Sequence, residues 1–343
     1  PAHAHTAQRF ITLEAFRRAG FGVLGMVNEP SAASFEYTHR QPRSVTSRRN
    51  QVVVYDLGGG TFDASLVEVE QTRHVVVSGL NDLGGDDFDE VLADCALAQA
   101  GGTDLPEPER SRLLDEAREA KERLTPQARR VSVEVAGQQV AVPVDQFYEA
   151  ATALVDRSTQ AMAPLLTGDD DQEDTSALAG IYIVGGASAL PLVSRILRDR
   201  FGRRVHRSPY PGGSTAIGLA IAADPSAGYT LAERLSRGFG VFRELDSGAR
   251  LGFDQLLGRD QVTSITGSVV VTRRYLAAHN VGHYLFVEYD HLVDGSPAGT
   301  VTSRCSSRTT ARCVTTPTWT RSRSNAPRAA RRSRNATRST RTG

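Results

Sequence analysis

The sequence predicts an α/β fold, followed by a separate β-rich region and then a basic segment with too little apolar surface to fold. Three observations carry this. Residues 52–70, VVVYDLGGGTFDASLVEVE, run as a short apolar strand to Asp56, turn through Gly58, Gly59 and Gly60 to Thr61, and return as a second strand over 64–69. Residues 181–184, IYIV, form another buried strand that ends in Gly185-Gly186 before a helix over 190–201. Beyond residue 229 the pattern becomes β-rich, and from Thr302 apolar residues nearly vanish.

Taken in order, residues 8–19 have helical spacing (Phe10, Leu13, Phe16), with Gly20 suited to the C-terminus. Residues 23–27 read as a short strand. This opening leaves no room for a preceding strand, so the chain reads as starting inside a fold. Pro30 stands where a first helical turn tolerates it, so Asn28-Glu29-Pro30-Ser31 begins a helix. The polar stretch 38–50 is a surface loop. A third strand, 74–77, follows the glycine hairpin, and a second DLGG at 82–85 opens a helix over 86–100. Residues 106–124 make an amphipathic helix, with Leu113, Leu114, Ala117, Ala120 and Leu124 on one face and Lys121 on its polar side. Residues 131–144 alternate around Gly137 as a hairpin, 146–166 are helical, and 167–174 are an acidic loop. A short strand near Val205, a turn at 209–213 and a small-residue helix over 214–223 close this part. Further on, 269–275 and 283–289 are β-rich.

The net charge of +1 hides two opposed regions. Residues 302–343 hold eleven arginines and no acid, leaving 29 basic and 39 acidic residues in the remainder. The body is therefore acidic and the tail basic, and the whole-chain charge names no partner. Lys121 is the only lysine; the arginine richness fits a coding bias rather than an arginine-dependent function. Cys95, Cys305 and Cys313 are too few and too scattered for a disulfide framework or a zinc site. A cytoplasmic location is expected, with no membrane-spanning run.

The glycine hairpin is where chemistry is expected. Glycines let backbone N–H groups approach a ligand closely, and successive N–H groups in such a turn form an anion-binding concavity. Asp56, at a strand end, can reach a cation beside that anion, and the Thr61 hydroxyl can contact a phosphate or a water. A tight hairpin without a ligand is the competing reading. Gly84-Gly85 before a helix is another place for phosphate, although an ordinary strand-to-helix turn would look the same. Lys121 read by itself is a solvated lysine.

Together these stretches resemble the 70-kDa heat-shock protein family, the DnaK-type chaperones of the actin-like ATPase superfamily. The resemblance rests on LGMVNEPSAASFEY, VVVYDLGGGTFDASLVEVE, NDLGGDDFD, EAKERLTPQ and IYIVGGASALPLV, in the family's order over residues 1–225. It implies an actin-like (ribonuclease H-like) lobe at 1–225 with an inserted α+β subdomain over about 81–175, an incomplete β-sandwich at 229–301, and a disordered tail at 302–343. It implies ATP or ADP with Mg²⁺. Gly58, Gly59, Gly60 and Thr61 would wrap the outer phosphates, and Asp56 would hold Mg²⁺ through its water shell. Glu29 and Asp63 would orient water, with Thr61 beside the γ-phosphate. Gly85 and Asp86 would come from the insertion, Lys121 and Thr125 would meet the nucleoside, and Gly185 and Gly186 would lie against base and ribose.

Arg118 stands where the family usually has a glutamate facing the ribose, Ala189 where it has an arginine stacking on adenine, and Gly212 where an acidic residue is common. The family's first phosphate loop has no counterpart here, so the resemblance implies a truncated ATP-binding chaperone with impaired hydrolysis. Its partners would be unfolded polypeptide clients and co-chaperones, with neither membrane nor nucleic acid. A non-catalytic scaffold on an actin-like lobe and an actin-like sugar kinase are the alternatives.

Overall fold

The computed structural model describes residues 4, 6–69, 73–80, 82–102, 105–167, 172–227, 232–235, 237–246, 249–259, 261–264, 269–275 and 282–307. In chain order the elements are α1 (Thr6–Arg18), α2 (Glu29–Arg40), β1 (Gln51–Leu57), β2 (Phe62–Glu68), β3 (Arg73–Leu80), α3 (Gly85–Gln99), α4 (Glu107–Glu122), β4 (Arg130–Val135), β5 (Gln138–Pro143) and α5 (Val144–Met162). They continue with β6 (Leu178–Val184), α6 (Pro191–Phe201), β7 (Val205–Arg207), α7 (Ser214–Ala223), β8 (Ala232–Arg234), β9 (Gly238–Leu245), β10 (Arg250–Leu257), β11 (Val262–Ser264), β12 (Gly282–Tyr289), β13 (His291–Val293), β14 (Ser296–Ala298) and β15 (Val301–Ser307). Two compact units result, one chiefly over Met26–Arg234 and one combining Ala4–Gly25 with the chain from Leu235.

The first unit is built on a five-stranded sheet in the order β3-β2-β1-β6-β7. β1, β2 and β3 are antiparallel neighbours, whereas β6 runs parallel to β1 and β7 parallel to β6. Successive strand residues point to opposite faces, and β1 buries both. Val53, Tyr55 and Leu57 join a large apolar cluster that takes in α3, α4, the β4–β5 hairpin, α5 and α6. Val52 and Val54 join a smaller one with Ala33, Tyr37, Ala179 and Tyr182. The β4–β5 turn needs a left-handed pair, and Ala136 and Gly137 both have positive φ.

On the smaller face α2 is held in two ways. It crosses α7 so closely that a side chain at Gly218 would collide with the Ala32 carbonyl. Its Glu36 is fully buried and accepts hydrogen bonds from Arg40 Nε at 2.7 Å, from Ser208 Oγ at 3.1 Å and from Ser214 Oγ, at the first residue of α7. A buried carboxylate is tolerable only when paired and hydrogen-bonded in this way.

The second unit carries a four-stranded antiparallel sheet in the order β10-β9-β12-β15. Phe239, Val241, Leu257, Val287 and Tyr289 are buried apolar residues of this sheet, and Leu13 of α1 is also buried. α1 leaves Ile11 and Phe16 exposed.

Three expectations are corrected. Residues 23–27 form no strand: 21–28 are irregular, and among the described residues none pairs with them. An isolated apolar run has no ladder to satisfy its backbone groups. Residues 269–275 are likewise irregular. Conversely, β15 extends the fold past Thr302, because its backbone pairs with β12 from Gly282↔Ser307 to Glu288↔Val301; the rest of the expected tail, 308–343, lies outside the described residues.

Gly218→Ala is expected to cost about 3 kcal/mol of stability, read as a lower denaturation midpoint. Gly212→Ala, where an added Cβ meets nothing within 4 Å, is the control and should change stability by less than about 0.5 kcal/mol. Equal midpoints would contradict the close α2–α7 crossing.

Candidate functional site

Three glycine turns meet at one end of the central sheet. The first, 58–61, joins β1 to β2 and is closed by the Gly58 N–H donating to the Thr61 carbonyl at 2.9 Å. The second, at Gly84 and Gly85, starts α3. The third, at Gly185 and Gly186, leaves β6.

The first two turns are joined backbone to backbone. The Gly85 N–H donates to the Gly58 carbonyl at 2.9 Å, and the Asp86 N–H donates to the Gly59 carbonyl at 2.8 Å. A side chain at Gly84 would collide with the Gly59 carbonyl and the Gly60 backbone. The Gly84 N–H itself is capped by Asp87 Oδ2 at 2.7 Å. The leading amides of α3 are thus taken up inside the protein. Gly185, with φ +86°, abuts Asp56 Oδ1 and the Leu57 carbonyl so closely that only glycine fits, and its N–H donates to the Pro211 carbonyl at 3.0 Å.

The outer side of these turns is open. Added Cβ atoms at Gly59 and Gly186 meet nothing within 4 Å, and one at Gly60 meets only Asp86 Oδ2 at 3.8 Å. Gly59, Gly60 and Thr61 are exposed. These exposed turns leave room for an anion.

Acidic groups gather at its foot. Asp56 and Asp63 are directly opposed across the β1–β2 ladder, and Glu29 opens α2. The Asp56 carboxyl is pushed up to about 7, first by burial and then by the charges of Glu29 and Asp63. Among the described residues no three acid, histidine or cysteine side chains are grouped to ligate one ion directly. The carboxylate oxygens of Asp56 and Asp63, opposed across the ladder, are donors of the kind that hydrated Mg²⁺ accepts.

At the rim, Lys121 is nearly buried and contacts Asp89 Oδ1 at 2.6 Å, with both side chains under 10% exposed. Its Nζ also donates to the Gly85 carbonyl at 2.6 Å. Arg118, half exposed, bridges Asp89 Oδ2 at 3.1 Å and Asp86 Oδ1 at 2.7 Å.

Of the residues singled out from sequence, Glu29, Asp56, Asp63, Gly58, Gly59, Gly60, Thr61, Gly85, Asp86, Lys121, Gly185 and Gly186 are brought to these turns. Thr125 is exposed just past the end of α4, and no described side-chain hydrogen bond joins it to them. Asp89 was missed, although Asp86 and Asp89 lie three apart in α3 and so share a helix face.

A mixed sheet with glycine turns at the ends of β1 and β6 is a layout that α/β proteins use for phosphate ligands. The chain matches the Hsp70 protein family model over residues 1–233, and it belongs to the Hsp70 family. It is 40% identical over 227 residues to chaperone protein HscA of Enterobacter sp. (strain 638), covering 65% of this chain and 36% of that protein. The HscA proteins of Citrobacter koseri and Salmonella paratyphi B are each 38% identical over the same shares. The chain thus spans about a third of the length of the curated relatives it matches. Among the described residues no helix is long and apolar enough to cross a membrane.

The Asp56 shift has a consequence for stability. The folded chain keeps this proton to about pH 7, whereas the ordinary value is 3.8. Stability therefore falls as pH rises through that window and levels off above it. Without Mg²⁺, Asp56→Asn should be more stable than the parent by about 2–4 kcal/mol at pH 8, with the gap closing toward pH 4. Urea melts across this range test it, and a gap independent of pH would contradict it.

Proposed function

We propose that residues 26–234 hold the phosphates of ATP or ADP, with Mg²⁺, at the three-turn face, as part of an Hsp70-type chaperone. The observation that carries this is the open cradle at Gly59, Gly60 and Thr61 with the Asp56–Asp63 pair at its foot. In this reading the amides of 58–61 face the outer phosphates, and Asp56 holds the Mg²⁺ water shell. Glu29 and Asp63 orient water, and the Thr61 hydroxyl stands beside the γ-phosphate. Gly85 and Asp86 shape the cradle from behind, since their amides are engaged by Gly58 and Gly59. Lys121 and Thr125 lie toward the nucleoside, with Gly185 and Gly186 beneath base and ribose. Bound Mg²⁺ supplies neutralisation of phosphate charge.

Phosphoryl transfer depends on positioning and charge stabilisation around the transferred group. The described residues offer one cradle for the outer phosphates. In the assembled protein, ATP hydrolysis would drive capture and folding of unfolded polypeptides, with co-chaperones, in the cytoplasm; the naming of the HscA relatives as chaperone proteins supports the chaperone role.

Calorimetry with ADP and ATP should show binding that Mg²⁺ strengthens. Asp56→Asn should remove the Mg²⁺-dependent part of that affinity, and Thr61→Ala should weaken ATP more than ADP. Binding that is unchanged when Mg²⁺ is removed would contradict this reading. Unchanged behaviour in both variants would favour a scaffold instead.

A further inference from the structure

A basic strip follows one edge of the central sheet in an otherwise acidic body. Residues 195–207, RILRDRFGRRVHR, hold six arginines and one histidine against a single acid, Asp199, whereas residues 1–301 together hold 29 basic and 39 acidic residues. Coding bias accounts for arginine in place of lysine, but not for this crowding. The strip runs through the end of α6 and the turn after it into β7. Arg198, Arg203 and Arg207 are exposed, and among the described residues none of the three is paired with a carboxylate. Like charges held this close repel one another, so an anionic partner would stabilise the strip.

The chain's own contacts show what kind of group these arginines accept. Glu173 meets Arg200 at 3.1 Å, and Arg204 donates from Nη1 to the Thr175 carbonyl at 2.9 Å. Both acceptors come from one acidic segment, DDDQEDT at 169–175. Two of the six arginines are thus engaged by a carboxylate and a backbone carbonyl of the same stretch of polypeptide.

Beside the free arginines lies an open strand edge. β7 is the last strand of its sheet and pairs only with β6 among the described residues. The Ser208 N–H turns inward to the Ile183 carbonyl at 3.0 Å. Backbone groups of successive strand residues face opposite edges, so the N–H and C=O of Arg207 face outward. His206, the middle residue of β7, is held below the ordinary imidazole value by burial and then by the charge of Arg198, so Arg198 of α6 stands beside the strand. Charged side chains on an edge discourage self-pairing. That role needs charge on the strand alone, and here the arginines continue onto the turn and α6.

We propose that the outer edge of β7, with Arg198, Arg203 and Arg207, docks an extended acidic segment of a partner polypeptide. The outward N–H and C=O of Arg207 pair with the segment's backbone, as in strand addition to a sheet edge, and the guanidinium groups take its carboxylates. A nucleic acid would meet the charges but has no strand backbone to offer the edge. This surface stands independently of the phosphate reading.

The test uses the full chain and three fluorescent probes: a short peptide alternating Glu and Val, the same peptide with its backbone amides N-methylated, and a single-stranded oligothymidylate. The Glu–Val peptide should bind saturably and slow amide exchange at Arg207 at least tenfold. The N-methylated peptide, which keeps the charges but has no backbone donors, should bind at least tenfold more weakly. Arg198→Glu and Arg207→Glu should each weaken the Glu–Val peptide at least tenfold with an unchanged denaturation midpoint. Arg198→Gln and Arg207→Gln, which add no charge, should weaken it in the same direction by less. Absence of saturable binding overturns the proposal. Equal binding of the N-methylated peptide overturns it as well, because charge alone would then suffice. Tighter binding of the oligothymidylate would make the strip a nucleic-acid surface instead, and undiminished binding in all four variants would place the peptide elsewhere on the chain.

Discussion

Two hydrogen bonds between backbones, Gly85 N–H to the Gly58 carbonyl and Asp86 N–H to the Gly59 carbonyl, set the geometry on which the candidate site depends. They require the β1–β2 turn and the start of α3 to approach without side chains between them, and Gly84 is the residue that a Cβ would exclude. Once these turns are joined, α3 is fixed in direction. Asp86 and Asp89 then face α4, and Lys121 of α4 can reach back to the Gly85 carbonyl. β6 completes the arrangement, because its parallel pairing with β1 places Gly185 against Asp56.

The electrostatics divide along the same geometry. At the foot of the cradle, Asp56, Asp63 and Glu29 concentrate negative charge in a partly buried position, which raises the cost of ionising Asp56. A bound cation would remove that cost. Behind the cradle the charges are already balanced, with Asp86 and Asp89 against Arg118 and Lys121. Glu36 follows the second pattern on the other face of the sheet, where Arg40, Ser208 and Ser214 satisfy it. Balanced groups hold the frame on both faces of the sheet.

Much of this was legible in the sequence where information is local. The strand–glycine–strand pattern of 52–70 gave β1, the turn and β2. The helical periodicities of 86–100 and 106–124 gave α3 and α4 within a few residues. The strand expected at 23–27 failed for a non-local reason: β structure needs a neighbour, and apolar alternation alone does not provide one. The same holds for 269–275, while the backbone of 301–307 pairs with β12 although the composition there argues against folding. The site divided similarly. Asp56, Thr61 and the glycines were visible because their types and spacing are unusual. The partnership of Asp89 with Lys121 was not, because it depends on how α3 crosses α4. Nor could the sequence show that the Gly85 and Asp86 amides are already engaged.

The central claim is that the open side of the three turns is where phosphate binds. Backbone amide shifts followed by NMR during titration with Mg-ADP test it most directly. The account predicts the largest changes at Gly59, Gly60, Thr61 and Gly186, with Gly85 and Asp86 moving less because their N–H groups stay on Gly58 and Gly59. Saturable shifts confined to other parts of the chain, with these four residues unmoved, would contradict it.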